Sequence, residues 1–324
     1  MGDAAIEVTG LAKAYGKVVA LDGVSFEVGS GAVCGLLGPN GSGKTTTVSI
    51  LSTALRPDAG SARVCGLDVV RDAAAVRSVI GFAGQFAAVD ANLSGRENLA
   101  LIGRLSRLGR RSARERAAEL LEGFGLSDAA DRLARTYSGG MRRRLDVAAA
   151  LAHRPPVVFM DEPTTGLDPE SRFALWEILR RLVAEGTTVL LTTQYLEEAD
   201  ELADQIVIID AGRVVEVGAS GDLKARVGAA VFSLGFNDAP GAARAPDVLA
   251  GAGYRPERDA TVVRVRAAEG SAALVGVLRT LDGAAPEPTS LGVREPSLDD
   301  VFLALTGKTP VAPSGSVEPK RGAA

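Results

Sequence analysis

Gly38-Pro39-Asn40-Gly41-Ser42-Gly43-Lys44-Thr45-Thr46 is the stretch that decides the fold. It fits G-x-x-x-x-G-K-[ST], a loop whose glycines let backbone N–H groups converge on phosphate oxygens. An apolar run, Ala32–Leu37, precedes it and reads as a buried strand; Val48–Leu55 follows and reads as an amphipathic helix. Strand, glycine loop and helix in that order set the helix N-terminus, with its favourable dipole, against the anion. A plain glycine-rich turn with a surface lysine would have neither flank. On this reading Gly38, Asn40, Gly41, Ser42 and Gly43 line the phosphates and Lys44 bridges the β- and γ-phosphates of a nucleotide. Thr45 ligates Mg²⁺, and Thr46 bonds towards the α-phosphate.

A second apolar run, Val157-Val158-Phe159-Met160, delivers Asp161-Glu162 where a strand should end. Ligands of open α/β sheets sit at that carboxyl edge. Asp161 is placed to hold Mg²⁺ through water, and Glu162 to polarise an attacking water on the γ-phosphate side. Phosphoryl transfer needs chiefly positioning and charge neutralisation, which such a pair supplies.

Short runs recur at Val33–Leu37, Val79–Ala83, Val157–Met160, Val189–Leu191 and Ile206–Ile209, several of them apolar throughout. Parallel strands covered on both faces have this pattern. With helical stretches such as Arg172–Ala184 between them, the expectation is an α/β P-loop NTPase core over residues 1–218 with right-handed crossovers. Ile6–Val8 and Val24–Val28 alternate like edge strands. From about 86 to 154, opening at Leu93-Ser94-Gly95-Arg96-Glu97-Asn98-Leu99, no strand signal occurs, so a helical subdomain is inserted there. Residues 219–308 form a small α+β C-terminal domain, with strands at Val231–Phe236 and Thr261–Arg266 and helices at Ser271–Leu281 and Ser297–Leu305. Residues 309–324, rich in Pro, Gly, Ser and Ala, are expected to be a disordered tail.

Apolar residues make up 46% of the 324, enough for a sizeable core, and the net charge of -4 offers no global field for nucleic acid. The Arg110–Arg111 and Arg142–Arg144 runs read as solvated helix faces. Cys34 reads as a buried thiol, and with Cys65 suggests neither a disulfide framework nor a metal site. No apolar stretch approaches the ~18–20 residues that cross a bilayer. The absence of both a disulfide framework and a signal peptide points to the cytoplasm.

Tyr137-Ser138-Gly139-Gly140-Met141 resembles the signature motif of ATP-binding cassette (ABC) ATPases. Gln85 after the Val79–Ala83 strand resembles the Q-loop glutamine, and Gly166-Leu167-Asp168 the D-loop. Tyr15 stands 23 residues before Gly38, where the family has an aromatic that stacks on adenine. The resemblance covers about two-thirds of the chain and implies ATP hydrolysis with Mg²⁺. It assigns Gln85 to γ-phosphate sensing and to the metal, and Asp168 to the nucleotide. It also implies a head-to-tail homodimer, in which the amides of Ser138, Gly139 and Gly140 face the γ-phosphate bound by the other copy. Two residues depart from the pattern. Met141 replaces a glutamine, and Gln194 stands where most relatives have the switch histidine. Gln194 can donate a hydrogen bond but cannot carry charge. The lone histidine, His153, reads as structural. With Glu162 intact, turnover is expected to survive.

Tyr137–Asp146 (Tyr-Ser-Gly-Gly-Met-Arg-Arg-Arg-Leu-Asp), Gln194 and Glu295-Pro296-Ser297-Leu298-Asp299-Asp300-Val301-Phe302-Leu303 together resemble the ATPase subunits of daunorubicin-resistance-type drug exporters. The resemblance implies a separate membrane permease, contacted around Phe86–Asn98, and a position on the cytoplasmic face of the membrane. Lipid export, nutrient uptake and a non-transport relative are the alternatives. Leu298, Val301, Phe302 and Leu305 fall at helical spacing and read as a core-facing stripe.

Overall fold

The computed structural model describes residues 4–84, 88–227, 230–267, 273–284 and 287–306. Gln85, Phe86 and the tail expected at 309–324 lie outside the described residues. Two compact units emerge, the first ending at Ser220 and the second starting at Gly221.

The first unit is built on a six-stranded sheet in the order β10 (Arg213–Gly218), β9 (Gln205–Asp210), β3 (Val33–Leu37), β8 (Thr188–Thr193), β7 (Val157–Asp161), β6 (Ile80–Ala83). β9, β3, β8, β7 and β6 run parallel, and β10 adds an antiparallel edge. Every residue of β3, β7 and β8 is buried, which is why Val33–Leu37, Val157–Met160 and Val189–Leu191 within them read as apolar runs. A second, antiparallel sheet has the order β2 (Val18–Gly29), β1 (Ala4–Tyr15), β4 (Ala59–Val64), β5 (Leu67–Asp68). The segments expected as short edge strands at Ile6–Val8 and Val24–Val28 are thus parts of two twelve-residue strands in a separate sheet. Bulges in their pairing hide the alternation that would have revealed their length.

Helices α1 (Lys44–Leu51), α2 (Ala73–Val79), α6 (Pro169–Ala184) and α7 (Leu196–Leu202) belong to this core. Between β6 and β7 lie α3 (Gly95–Leu105), α4 (Arg110–Gly123) and α5 (Gly139–Ala150), joined by short 3₁₀ turns. Ser94 caps α3 with a full capping box: its side chain accepts from the Glu97 N–H, and Glu97 Oε2 accepts from the Ser94 N–H at 2.8 Å.

α8 (Ser220–Val227) crosses into the second unit, whose four-stranded antiparallel sheet has the order β12 (Arg255–Asp259), β13 (Val262–Ala267), β11 (Ala230–Gly235), β14 (Ser290–Arg294). Its core gathers Phe232, Leu234, Val263 and Val265 from the sheet, Leu249 from α9 (Ala239–Gly251) and Val277 from α10 (Leu274–Leu281). In α11 (Leu298–Thr306), Leu298, Val301 and Phe302 are buried. Leu305 is exposed, so the expected stripe holds three residues rather than four.

Candidate functional site

Strand register gathers the chemistry at one sheet edge. Leu37 pairs with Thr193, Asp161 with Thr192, and Ala83 with Met160. The glycine loop, the acid pair, Gln194 and the chain leading to Gln85 therefore leave the sheet side by side at its carboxyl end.

The loop 38–43 joins β3 to α1 with no room for side chains at two points. A Cβ on Gly38 would run into the Ile209 carbonyl, and one on Gly43, at φ +110°, into Leu21 and the Ala20 carbonyl. Lys44, buried at the start of α1, donates from Nζ to the Gly38 carbonyl at 2.7 Å and the Pro39 carbonyl at 3.1 Å. Burial pulls its pKa down, and the Glu162 and Asp161 carboxylates push it back up. Ser42 Oγ is buried and, among the described residues, has no hydrogen-bond partner. A cationic ammonium, an unpaired buried hydroxyl and a glycine cradle fit a triphosphate.

Thr45 Oγ1 donates to Asp161 Oδ1 at 3.2 Å, and Thr192 Oγ1 donates to the same oxygen at 2.5 Å. Thr192 also holds the neighbouring residue, since its Oγ1 accepts from the Glu162 N–H at 3.0 Å. Glu162 sits at φ +48°, a left-handed conformation in which an L-residue stores strain. Its carboxylate, half-buried, accepts from Thr165 Oγ1 at 3.3 Å. A carboxylate and a hydroxyl side by side above Lys44 are a fitting oxygen pair for Mg²⁺, which binds few protein ligands and completes its shell from phosphates and water.

Ser138 caps α5, its side chain accepting from the Met141 N–H at 3.1 Å. The amides of Gly139 and Gly140 are first-turn donors with no intrahelical acceptor. Gly140 is a close-packing glycine, because a Cβ there would run into Ser171 of α6. Gly139 is exposed, with nothing within 4 Å of where its Cβ would be and no left-handed φ. Asp168 caps α6, accepting from the Ser171 N–H at 2.9 Å and from Ser171 Oγ at 2.8 Å, and these bonds hold its pKa low. Tyr15 is 53% exposed at the end of β1; Val18, paired with it, and Val19 are 67% and 59% exposed. Gln194 is half-buried, and among the described residues its Oε1 has no hydrogen-bond partner. His153 bonds the Ile80 carbonyl, at the opposite end of β6 from the phosphate loop, and burial lowers its pKa.

Sequence reasoning missed Thr192, whose signal was a pair of threonines closing an otherwise apolar strand. It also misread Arg142–Arg144, of which only Arg142 is exposed. Arg144 donates to the Phe124 carbonyl at 3.1 Å, and Arg143 is bound to three carbonyls.

The family model for the ABC transporter matches residues 21–165. The chain is 52% identical over 307 residues to the daunorubicin resistance ATP-binding protein DrrA3 of Streptomyces coeruleorubidus, covering 95% of this chain and 97% of that one. The chain belongs to the ABC transporter family of ATP-binding proteins. Within that family it is also 50% identical, over 94% of this chain and 92% of the other, to the daunorubicin/doxorubicin resistance ATP-binding protein DrrA of Streptomyces peucetius. Among solved structures, a dimeric ATP-binding cassette in a post-hydrolysis state bound to ADP and Pi aligns with a TM-score of 0.61 at 26% identity. The alignment covers 66% of this chain and 98% of that one. The chain is therefore an ATP-hydrolysing cassette. Among the described residues no helix is long and apolar enough to cross a membrane.

Proposed function

We propose that two copies of this chain bind two MgATP head to tail, hydrolyse them, and so power efflux of a drug through a separate membrane permease at the cytoplasmic face. The observation that carries the catalytic half is the meeting of Thr45, Asp161 and Thr192 beside Lys44. Gly38, Asn40, Gly41, Ser42, Gly43 and Thr46 wrap the phosphates, and Lys44 leaves its carbonyl partners to bridge the β- and γ-oxygens. Tyr15, with Val18 and Val19 beside it, gives adenine an apolar platform. Thr45 and Asp161, with Gln85, would hold Mg²⁺, which when bound would supply charge neutralisation for the phosphates. Glu162 orients and polarises the attacking water, and Gln194 donates an amide N–H to the γ-phosphate.

Gly139 supports the dimer. Among the described residues nothing lies within 4 Å of where its Cβ would be, so its missing side chain suits close approach from outside. Ser138, Gly139 and Gly140 thus complete the triphosphate site of the other copy. Asp168 orders the start of α6 and, through Ser171, the seat of Gly140. The permease contact, which the resemblance puts around Phe86–Asn98, extends along α3 beyond Asn98: Glu97 is engaged in the α3 capping box, and the exposed Leu101 and Leu105 on one face of that helix are the better contacts.

Drug efflux follows from the curated relatives, and its test is a drug-sensitivity panel in cells expressing the chain with its permease, with and without Glu162→Gln. Resistance to daunorubicin-class compounds that vanishes with the substitution is expected. Unchanged sensitivity in both cultures, with ATP hydrolysis intact, sinks the drug assignment and leaves lipid export or uptake.

A further inference from the structure

Arg143 stands one turn into α5, the helix that begins with Ser138-Gly139-Gly140. Its Nε donates to the Pro163 carbonyl at 2.8 Å, its Nη2 to the Asp161 carbonyl at 3.1 Å, and its Nη1 to the Gly84 carbonyl at 2.6 Å. The first two acceptors are the peptide carbonyls on either side of Glu162. The third belongs to the residue before Gln85. Three residues along the same helix, Asp146 is buried and accepts from the Ala88 N–H at 2.9 Å, on the far side of the 85–87 segment. Arg143 and Asp146 also face each other electrostatically: burial pulls the guanidinium's pKa down while Asp146, Asp161 and Glu198 push it up.

We infer that Arg143, with Asp146, is a positioning residue for ATP hydrolysis. It ties the signature helix to the backbone around Glu162 and to both ends of the segment that carries Gln85. The chemistry fits this task. A planar guanidinium holds several acceptors in fixed directions, which an ammonium cannot do. Glu162 occupies a left-handed φ, with its N–H held by Thr192 and its carbonyl and carboxylate accepting from Thr165 at 3.3 Å each. Arg143 adds to these bonds by anchoring the carbonyls of Asp161 and Pro163, the residues before and after it, so that the strained backbone and its carboxylate keep one aim. Because the same guanidinium is carried on α5, a shift of that helix when its N-terminus meets the other copy's nucleotide moves the catalytic acid with it. The brace therefore links engagement of the dimer to the hydrolytic step. Substrate binding, which rests on Lys44 and the glycine loop, does not pass through it.

This inference rests on the proposed role of Glu162, and the test separates the two. The variants are Arg143→Lys, which keeps the charge but loses the fork, Arg143→Ala, and Glu162→Gln as reference. All are made in the 324-residue chain and assayed with its permease for MgATP affinity, by fluorescent-nucleotide titration, and for kcat. For Arg143→Lys, kcat should fall at least about fivefold while affinity stays within about twofold, the split expected when only the transition state loses stabilisation. Arg143→Ala should fall further. Should Arg143→Ala fail to fold, Arg143→Lys alone decides. A smaller fall in kcat, or a loss of affinity in proportion to it, overturns the brace. If Glu162→Gln itself turns over like the wild type, the Glu162 assignment fails instead, whatever Arg143 does.

Discussion

The two glycines that open α5 allow one structural distinction to be tested in depth. Gly139→Ala adds a methyl group into open space on an exposed first helical turn, so folding stability should stay within about 0.5 kcal/mol of the wild type, as for ordinary surface changes. Gly140→Ala drives its Cβ into Ser171, whose Cβ would lie 2.7 Å away and whose Oγ is held by Asp168. Overpacking of that kind costs about 1–3 kcal/mol. The conformational advantage of alanine over glycine in a helix returns about 0.5–1 kcal/mol. A net loss of about 1 kcal/mol remains, within a span of about 0–2.5, or a few degrees in Tm for a unit of this size. Gly140→Ala/Ser171→Gly should recover much of it, because glycine at 171 removes the obstructing atoms while its N–H still reaches Asp168. In a double-mutant cycle the pair should couple by about 1 kcal/mol or more. Activity should divide the other way. Gly139→Ala, though stable, should lose at least about tenfold in ATP turnover, since in the proposed dimer its methyl group would stand where the other copy's nucleotide approaches. Differential scanning calorimetry and phosphate release measure both axes. The reasoning fails if Gly139→Ala is as unstable as Gly140→Ala, or if it hydrolyses ATP at the wild-type rate.

Other expectations concern the network behind the site. Thr192→Val keeps shape but removes the bonds to Asp161 and Glu162, and should cost about 1.5–3 kcal/mol with at least a tenfold fall in kcat; wild-type kinetics would show the threonine to be incidental. Glu198 is buried against Trp176, and burial raises its pKa above the ordinary 4.5 despite the bond from Trp176 Nε1 at 3.4 Å, the neighbouring Thr193 and Thr164 hydroxyls and the nearby Arg172. A raised folded-state value gives stability that is complete below about pH 4 and is lost as pH rises through that value. Tm of Glu198→Gln relative to the wild type should therefore climb from acid towards alkaline pH, and a pH-independent difference would contradict the assignment. Native protein should show one reactive thiol, the exposed Cys65, with Cys34, its pKa pushed up to about 12 by burial, appearing only after denaturation. Two fast thiols in the native state would be inconsistent with the packing of β3.

The core was legible in the sequence because its strands are buried on both faces and end in residues that chemistry requires. Val33–Leu37 into Gly38, and Val157–Met160 into Asp161-Glu162, declare both strand and site. The antiparallel sheet was only half legible. Its β4 strand, Ala59–Val64, is mostly exposed and rich in small residues, so it carries little apolar signal. In the second unit, α9 contains Pro240, Gly241 and Pro246 and ends on Gly251, which mask a helix that its alanines would otherwise favour. Arg143 escaped for a different reason. A run of three arginines looks solvated, and only the tertiary fold turns one of them onto the carbonyls of Asp161, Pro163 and Gly84. Asp168 and Ser138 each have a cap to form within their own chain, a role that spacing alone did not distinguish from ligand binding.

Light scattering of Glu162→Gln protein, with and without MgATP, most directly tests the claim that each nucleotide is enclosed by Lys44 of one copy and Ser138-Gly139-Gly140 of another. The mass should double from 33.3 kDa on nucleotide addition, and Gly139→Ala in the same background should prevent the doubling. A protein that binds MgATP stoichiometrically and keeps the mass of a single chain would contradict the account.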